Sequence, residues 1–109
     1  MATTYKVLGQ LNPGATTLST LYTAPSSTST VVSTLMICNQ AATNGTFRVA
    51  VRPAGASVES KHYLSYDTVV PANDSIGLTL GITLATTDVV SVYASSTSIS
   101  FNLFGSEIT

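Results

Sequence analysis

The sequence predicts an all-β fold: a single-domain antiparallel β-sandwich of about eight strands, with jelly-roll or immunoglobulin-like connectivity. Three observations carry that prediction. Apolar residues recur at every second position, chain breakers fall at short and even intervals, and the polar residues are hydroxyls rather than charges. Eighteen Thr and fifteen Ser make up nearly a third of the chain, while Asp, Glu, Lys and Arg together account for 8%, against roughly 25% in an average soluble domain. Thr is β-branched and suits a pleated surface, whereas the long charged residues that favour the solvent face of helices are scarce. No segment holds an i, i+3, i+4 apolar pattern for three turns. A chain of 109 residues builds one core between two sheets, so residues 1–109 form one domain.

The strands follow in order. Thr4–Leu11 is the first, with Tyr5, Val7 and Gly9 on one side, and Asn12-Pro13-Gly14 stops it with a turn. Thr17–Ala24 is the second, ended by Pro25 and the Ser/Thr tract 26–30. Val31–Gln40 is apolar on both faces, Val32, Met36 and Cys38 against Val31, Leu35 and Ile37, which predicts a central strand or one facing a neighbouring subunit. Residues 41–45 read as a hairpin loop through Asn44-Gly45. Thr46–Arg52 alternates Phe47, Val49 and Val51 with Arg48, Ala50 and Arg52. Residues 53–60 form the longest irregular connection. Lys61–Val70 alternates His62, Leu64 and Tyr66 with Lys61, Tyr63, Ser65 and Asp67. After the turn at 71–74, Ser75–Leu84 places Ile76, Leu78, Leu80, Ile82 and Leu84 on one face, and its glycines predict a bulge near Gly77 or Gly81. Val89–Ser95 and Ser98–Phe104 read as a closing hairpin, with Ile99, Phe101 and Leu103 facing in.

Composition excludes several function classes. Net charge is −1, and Lys6, Arg48, Arg52 and Lys61 are too scattered to neutralise a phosphate backbone, so no nucleic-acid partner is expected. An apolar run of about 18 residues and a basic amphipathic helix are both missing, so no membrane partner is expected either. The start, MATTYKVLGQ, lacks the layout of a signal peptide, and a lone cysteine, Cys38, precludes an intrachain disulfide. Both point to synthesis in a reducing cytoplasm. So few charges suggest an exterior largely covered by partners.

Candidate chemistry is thin. His62, Asp67 and Cys38 show no metal-ligand spacing, and no cofactor is expected. The serines lack a Gly-x-Ser-x-Gly elbow, and Gly77 and Gly81 lie on a strand pattern rather than in a phosphate-binding turn. Glu59, Asp67, Asp74, Asp88 and Glu107 sit in or beside predicted turns, where Asp74 and Asp88 can bond backbone amides. The expected role is therefore not enzymatic. Arg48 and Arg52 share one strand face and are candidates for an interface, or else for solvated charges. The tyrosines, Tyr63 and Tyr66 among them, can cap a core or form a platform for glycans.

The segments TYKVLGQ (4–10), LYTAPS (21–26), TFRVAVRPAG (46–55), PANDS (71–75), DVVSVYA (88–94) and SFNLFGSEI (100–108) span most of the chain. Together they resemble small β-rich virion proteins of tailed bacteriophages, particularly those of cyanobacteria. The resemblance implies a structural part of the virion, assembled in the bacterial cytoplasm: a capsid cement or decoration protein, a head fibre, or a neck, tail or fibre-base part. Its implied partners are the major capsid protein or other virion proteins and further copies of the chain, commonly in threefold contacts. Arg48, Arg52, Tyr63, Tyr66, Phe104 and Ile108 are the interface candidates, and glycan binding for host adsorption is a further alternative.

Overall fold

The computed structural model describes residues 2–109, Leu80 by its backbone only. Eight strands run in the order β1 (Thr3–Leu11), β2 (Ser19–Thr23), β3 (Ser29–Asn39), β4 (Gly45–Arg52), β5 (Tyr63–Val70), β6 (Asp74–Leu84), β7 (Val89–Ala94) and β8 (Ile99–Ile108). Two single 3-10 turns, Pro53–Gly55 and Ser60–His62, interrupt the β4–β5 connection. The strands form two antiparallel four-stranded sheets, one ordered β1-β8-β3-β6 and the other β2-β7-β4-β5. That order is the doubled Greek key of a jelly roll, which decides between the two connectivities open from sequence.

Successive strands alternate between the sheets, and β4–β5 is the one sequential pair joined by a ladder. Two expected hairpins are therefore corrected. The Asn44-Gly45 segment carries the chain from β3 across to β4 in the opposite sheet, and β7 and β8 likewise lie in different sheets. Gly45 is needed for closeness rather than for turn geometry: a β-carbon there would lie 2.7 Å from Ile99 Cδ1. The last strand also runs to Ile108 rather than stopping at Phe104.

The core lies between the sheets. Val32, Leu35, Ile37, Ile99, Phe101 and Leu103 of the first sheet meet Phe47, Val49, Val70, Val90 and Val92 of the second, all but fully buried. Phe47 and Phe101 touch edge to face across the interior, with centroids 6.3 Å apart. The expected inward sets on β4 and β8 are thus found, and β3 is central as expected, between β8 and β6.

Bulges change the phase elsewhere. Ser33 is an extra residue against β8, so Val32, Leu35 and Ile37 share the inner face, a corrected set. Opposite Ser33 stand Leu80 and Gly81, the latter at φ +58°, so the expected irregularity falls at Gly81. The predicted inward position of the Leu80 side chain lies outside the described residues. An extra residue at Leu8 leaves Tyr5 and Val7 outside but turns Gly9 inward, where its α-carbon approaches the Leu21 carbonyl of β2.

A polar clasp closes one end of the sandwich. Tyr22 of β2 donates its hydroxyl to Glu107 Oε2 at 2.6 Å and lies 2.7 Å from Thr30 Oγ1. Lys6 Nζ donates to Glu107 Oε1 at 3.2 Å. Glu107, expected beside a turn, instead lies within β8 and joins both sheets. Its carboxyl is held below the usual glutamate range, chiefly by the Tyr22 hydroxyl and then by Lys6. Burial, reinforced by Glu107, pushes the Tyr22 phenol up to about 12.

Candidate functional site

The outer face of the β2-β7-β4-β5 sheet gathers most of the residues singled out from sequence. Arg48 and Arg52 point outward from β4, paired in register with Tyr93 and Val89 of β7. Beside Arg48 the edge strand β5 bulges. Phe47 pairs with Thr68 and Val49 with Ser65, so both Tyr66 and Asp67 stand opposite Arg48. Asp67 takes the left-handed region at φ 51°, which Asp tolerates better than most residues. A hydroxyl pair between Ser65 and Thr68 spans the bulge.

That one extra residue aims two side chains at one guanidinium. Asp67 accepts from Arg48 Nε at 2.6 Å and from Nη2 at 3.3 Å. The guanidinium carbon lies 4.0 Å from the Tyr66 ring centroid and 4.1 Å from that of Tyr93. The Asp67 hydrogen bond pushes the Arg48 guanidinium further up from its already high range. A second extra residue, Leu64, sets Tyr63 opposite Ala50, so Tyr63 and Tyr66, expected on opposite faces of the strand, meet edge to face with centroids 4.9 Å apart. Sequence pattern missed this constellation, although an Asp inside a strand run was a usable signal, since Asp is depleted from strands.

Arg52 has a different task. Its Nε donates to Ser91 Oγ at 3.1 Å, and its Nη1 donates to the carbonyls of Ala56 at 3.1 Å and Gly55 at 3.4 Å. Asp88 Oδ1 accepts from the Ala54 amide at 2.9 Å. These contacts hold the long connection down on the sheet, which explains why outward-facing Ala50 and Ser91 are buried. Arg48 is thus paired with a carboxylate of its own chain, whereas Arg52 is held by neutral groups. Asp74 accepts from the amide of Ser75, which follows it, as expected from sequence, whereas Asp88 accepts from Ala85 N, three residues before it, rather than from a following amide.

A groove of about 620 Å³ opens beside this cluster, between Val58, Glu59 and Ser60 on one wall and Tyr63 and Tyr66 on the other. Tyr66 is 58% exposed within it. Buried His62 anchors the wall, its Nδ1 accepting from the Glu59 amide at 3.0 Å. Among the described residues no three His, Cys, Asp or Glu side chains converge as a metal site would require.

The opposite sheet presents a second surface. Val7, Phe104 and Thr34 form one row across β1, β8 and β3, and Tyr5, Ser106 and Val31 form the next. Ile108 follows, half-buried, between Thr3 and Ser29. These rows lie on the face away from the core, since Val32 between them and Leu103 and Leu35 beside the first are buried. Tyr5 is 84% and Val7 46% exposed, and a shallow depression runs between Tyr5, Val31 and Phe104. Phe104 and Ile108, singled out from sequence, therefore sit on one surface, and the four β4–β5 candidates sit on the other. No protein-family model matches the chain, and no curated protein matches it.

Proposed function

We propose that this chain is a non-enzymatic structural subunit of a tailed-phage particle, acting as a capsid cement or decoration protein. It stabilises the shell by seating against the major capsid protein and against its own copies in closed, threefold contacts. The observation that carries the reading is the outer face of the β1-β8-β3-β6 sheet, an apolar surface of Tyr5, Val7, Val31, Phe104 and Ile108. The lysine beside it, Lys6, is already paired with Glu107. An exposed apolar face with so little charge gains free energy when a partner covers it. Repetition over many copies multiplies modest contacts into a firm attachment. The jelly-roll framework and the sequence resemblance support the same reading.

Counting copies per particle by quantitative mass spectrometry tests it. A count on the order of hundreds fits a cement subunit, whereas roughly three to a dozen moves the chain to a tail, neck or fibre base. Absence from purified particles refutes both. Tyr5→Asp with Phe104→Asp is expected to abolish incorporation while leaving the purified subunit folded. Particles that lack the protein yet resist heat as well as complete ones would remove the cement role.

A further inference from the structure

The groove beside Tyr63 and Tyr66 lies on the sheet opposite the apolar assembly face, and the assembly reading leaves it unused. We propose that it binds a neutral saccharide, with Tyr66 as the stacking platform and Glu59 and Ser60 as hydroxyl partners.

Tyr66 is fixed before any ligand arrives. Arg48 lies 4.0 Å from its centroid, Tyr63 meets it at 88°, and Asp67 holds Arg48 in place. A ring already immobilised loses little rotamer freedom on binding, and 58% of Tyr66 still faces solvent. The facing wall brings Val58 for apolar contact, the Glu59 carboxylate as acceptor and the Ser60 hydroxyl as donor or acceptor. Among the described residues, neither the Tyr63 nor the Tyr66 hydroxyl has a protein hydrogen-bond partner, so both can serve a ligand. The volume of about 620 Å³ falls within the range of small-molecule sites.

Charge decides the ligand class. An anion meets Glu59, and Arg48, the cation stacked on Tyr66, is already paired with Asp67, which leaves exposed Lys61 after Ser60 as the counter-charge nearest in sequence. A cation finds the Tyr66 ring already engaged by the Arg48 guanidinium, 4.0 Å from its centroid. The complementary ligand is uncharged, rich in hydroxyls and apolar on one face, which describes a sugar ring. An open groove with one principal platform supports weak binding, with Kd on the order of 1 mM.

The test is a nitrogen–proton NMR titration of the folded protein. The probes are methyl glucosides, methyl galactosides, maltotriose and chitotriose, with glucuronate, glucosamine and choline as charged comparisons. At least one neutral sugar is expected to shift the amides of 58–66 in a saturable way below about 20 mM. Tyr66→Ala and Glu59→Gln should each weaken that binding about tenfold or more. Glu59→Gln alters an exposed side chain and keeps the fold, so its loss of binding is not a loss of structure. Silence from every neutral sugar, preference for a charged probe, or shifts that persist unchanged in both variants would overturn the proposal. Particle copy number is untouched by any of these results.

Discussion

Asn39 gives the sharpest test of how the ends of these strands are held. It closes β3, is 1% exposed, and faces the turns that lead out of β3 and β5. Its Nδ2 donates to the Thr43 carbonyl at 2.9 Å and, with longer contacts, to Val70 and Pro71 at 3.2 and 3.3 Å. Its Oδ1 accepts from the Ala41 amide at 3.0 Å. Among the described residues no buried side-chain polar atom lacks a partner, so this site starts fully satisfied. Asn39→Ala removes two well-formed bonds and leaves buried backbone groups unpaired, a loss of about 2–4 kcal/mol. With a transition entropy proportional to chain length, that corresponds to a fall in Tm of roughly 8–16 °C. Asn39→Asp keeps the shape but turns a carboxylate toward three carbonyls. Its pKa is therefore raised in the folded state, and stability is present at low pH and lost as pH rises above the ordinary aspartate range. Urea denaturation of both variants at acid and neutral pH measures the effect. A loss below about 0.5 kcal/mol in Asn39→Ala, or an Asp variant indifferent to pH, would refute the claim that this amide ties the turns together.

Other expected outcomes follow from single contacts. Gly105→Ala places a β-carbon onto the Val31 carbonyl and against Leu8, and because backbone cannot yield the cost is about 3 kcal/mol or more by urea denaturation. Gly14→Ala, with nothing within 4 Å, is the control and should be neutral or slightly stabilising. Phe47→Ala empties the centre of the interior opposite Phe101 and should lower stability by about 3–5 kcal/mol, read by thermal melting. The Tyr22–Glu107 pair predicts two pH limits. The contribution of the depressed Glu107 carboxyl is lost as pH falls below the ordinary glutamate range, and that of Tyr22 is lost as pH rises from about 10 toward about 12. Tyr22→Phe should flatten both limbs of the stability–pH curve, and a curve unchanged in shape would show that the clasp contributes nothing.

The all-β architecture was legible because burial on one face writes itself into every second residue. Phe47, Val49 and Val51, like Ile99, Phe101 and Leu103, could hardly face anywhere else. Partnership between strands was not legible in the same way. Asn44-Gly45 has the chemistry of a tight turn, yet the chain uses that glycine to pass close to Ile99 on its way to the other sheet. Bulges were hidden for a related reason. One extra residue at Ser33 or Leu64 barely disturbs a local pattern, but it moves Leu35 into the core and brings Tyr63 to the face of Tyr66. Phe104 and Ile108, picked out as interface candidates, lie half-buried on the outer face of the first sheet. Arg48 and Arg52 were picked out as interface candidates; Arg48 pairs with Asp67 of its own chain, and Arg52 bonds a hydroxyl and two carbonyls.

The strand order also carries a consequence for how the molecule comes into being. β8, which follows the other seven strands in chain order, occupies an interior place in its sheet, with β1 and β3 on either side. Until it emerges, those two earlier strands face an empty slot and cannot complete their ladders. Ala2 and Thr109 then bond to one another through both backbone amides, at 3.0 and 2.8 Å. Completion of the first sheet thus waits for β8, and a nascent chain stalled short of Ile99 should be trapped as a protease-sensitive species.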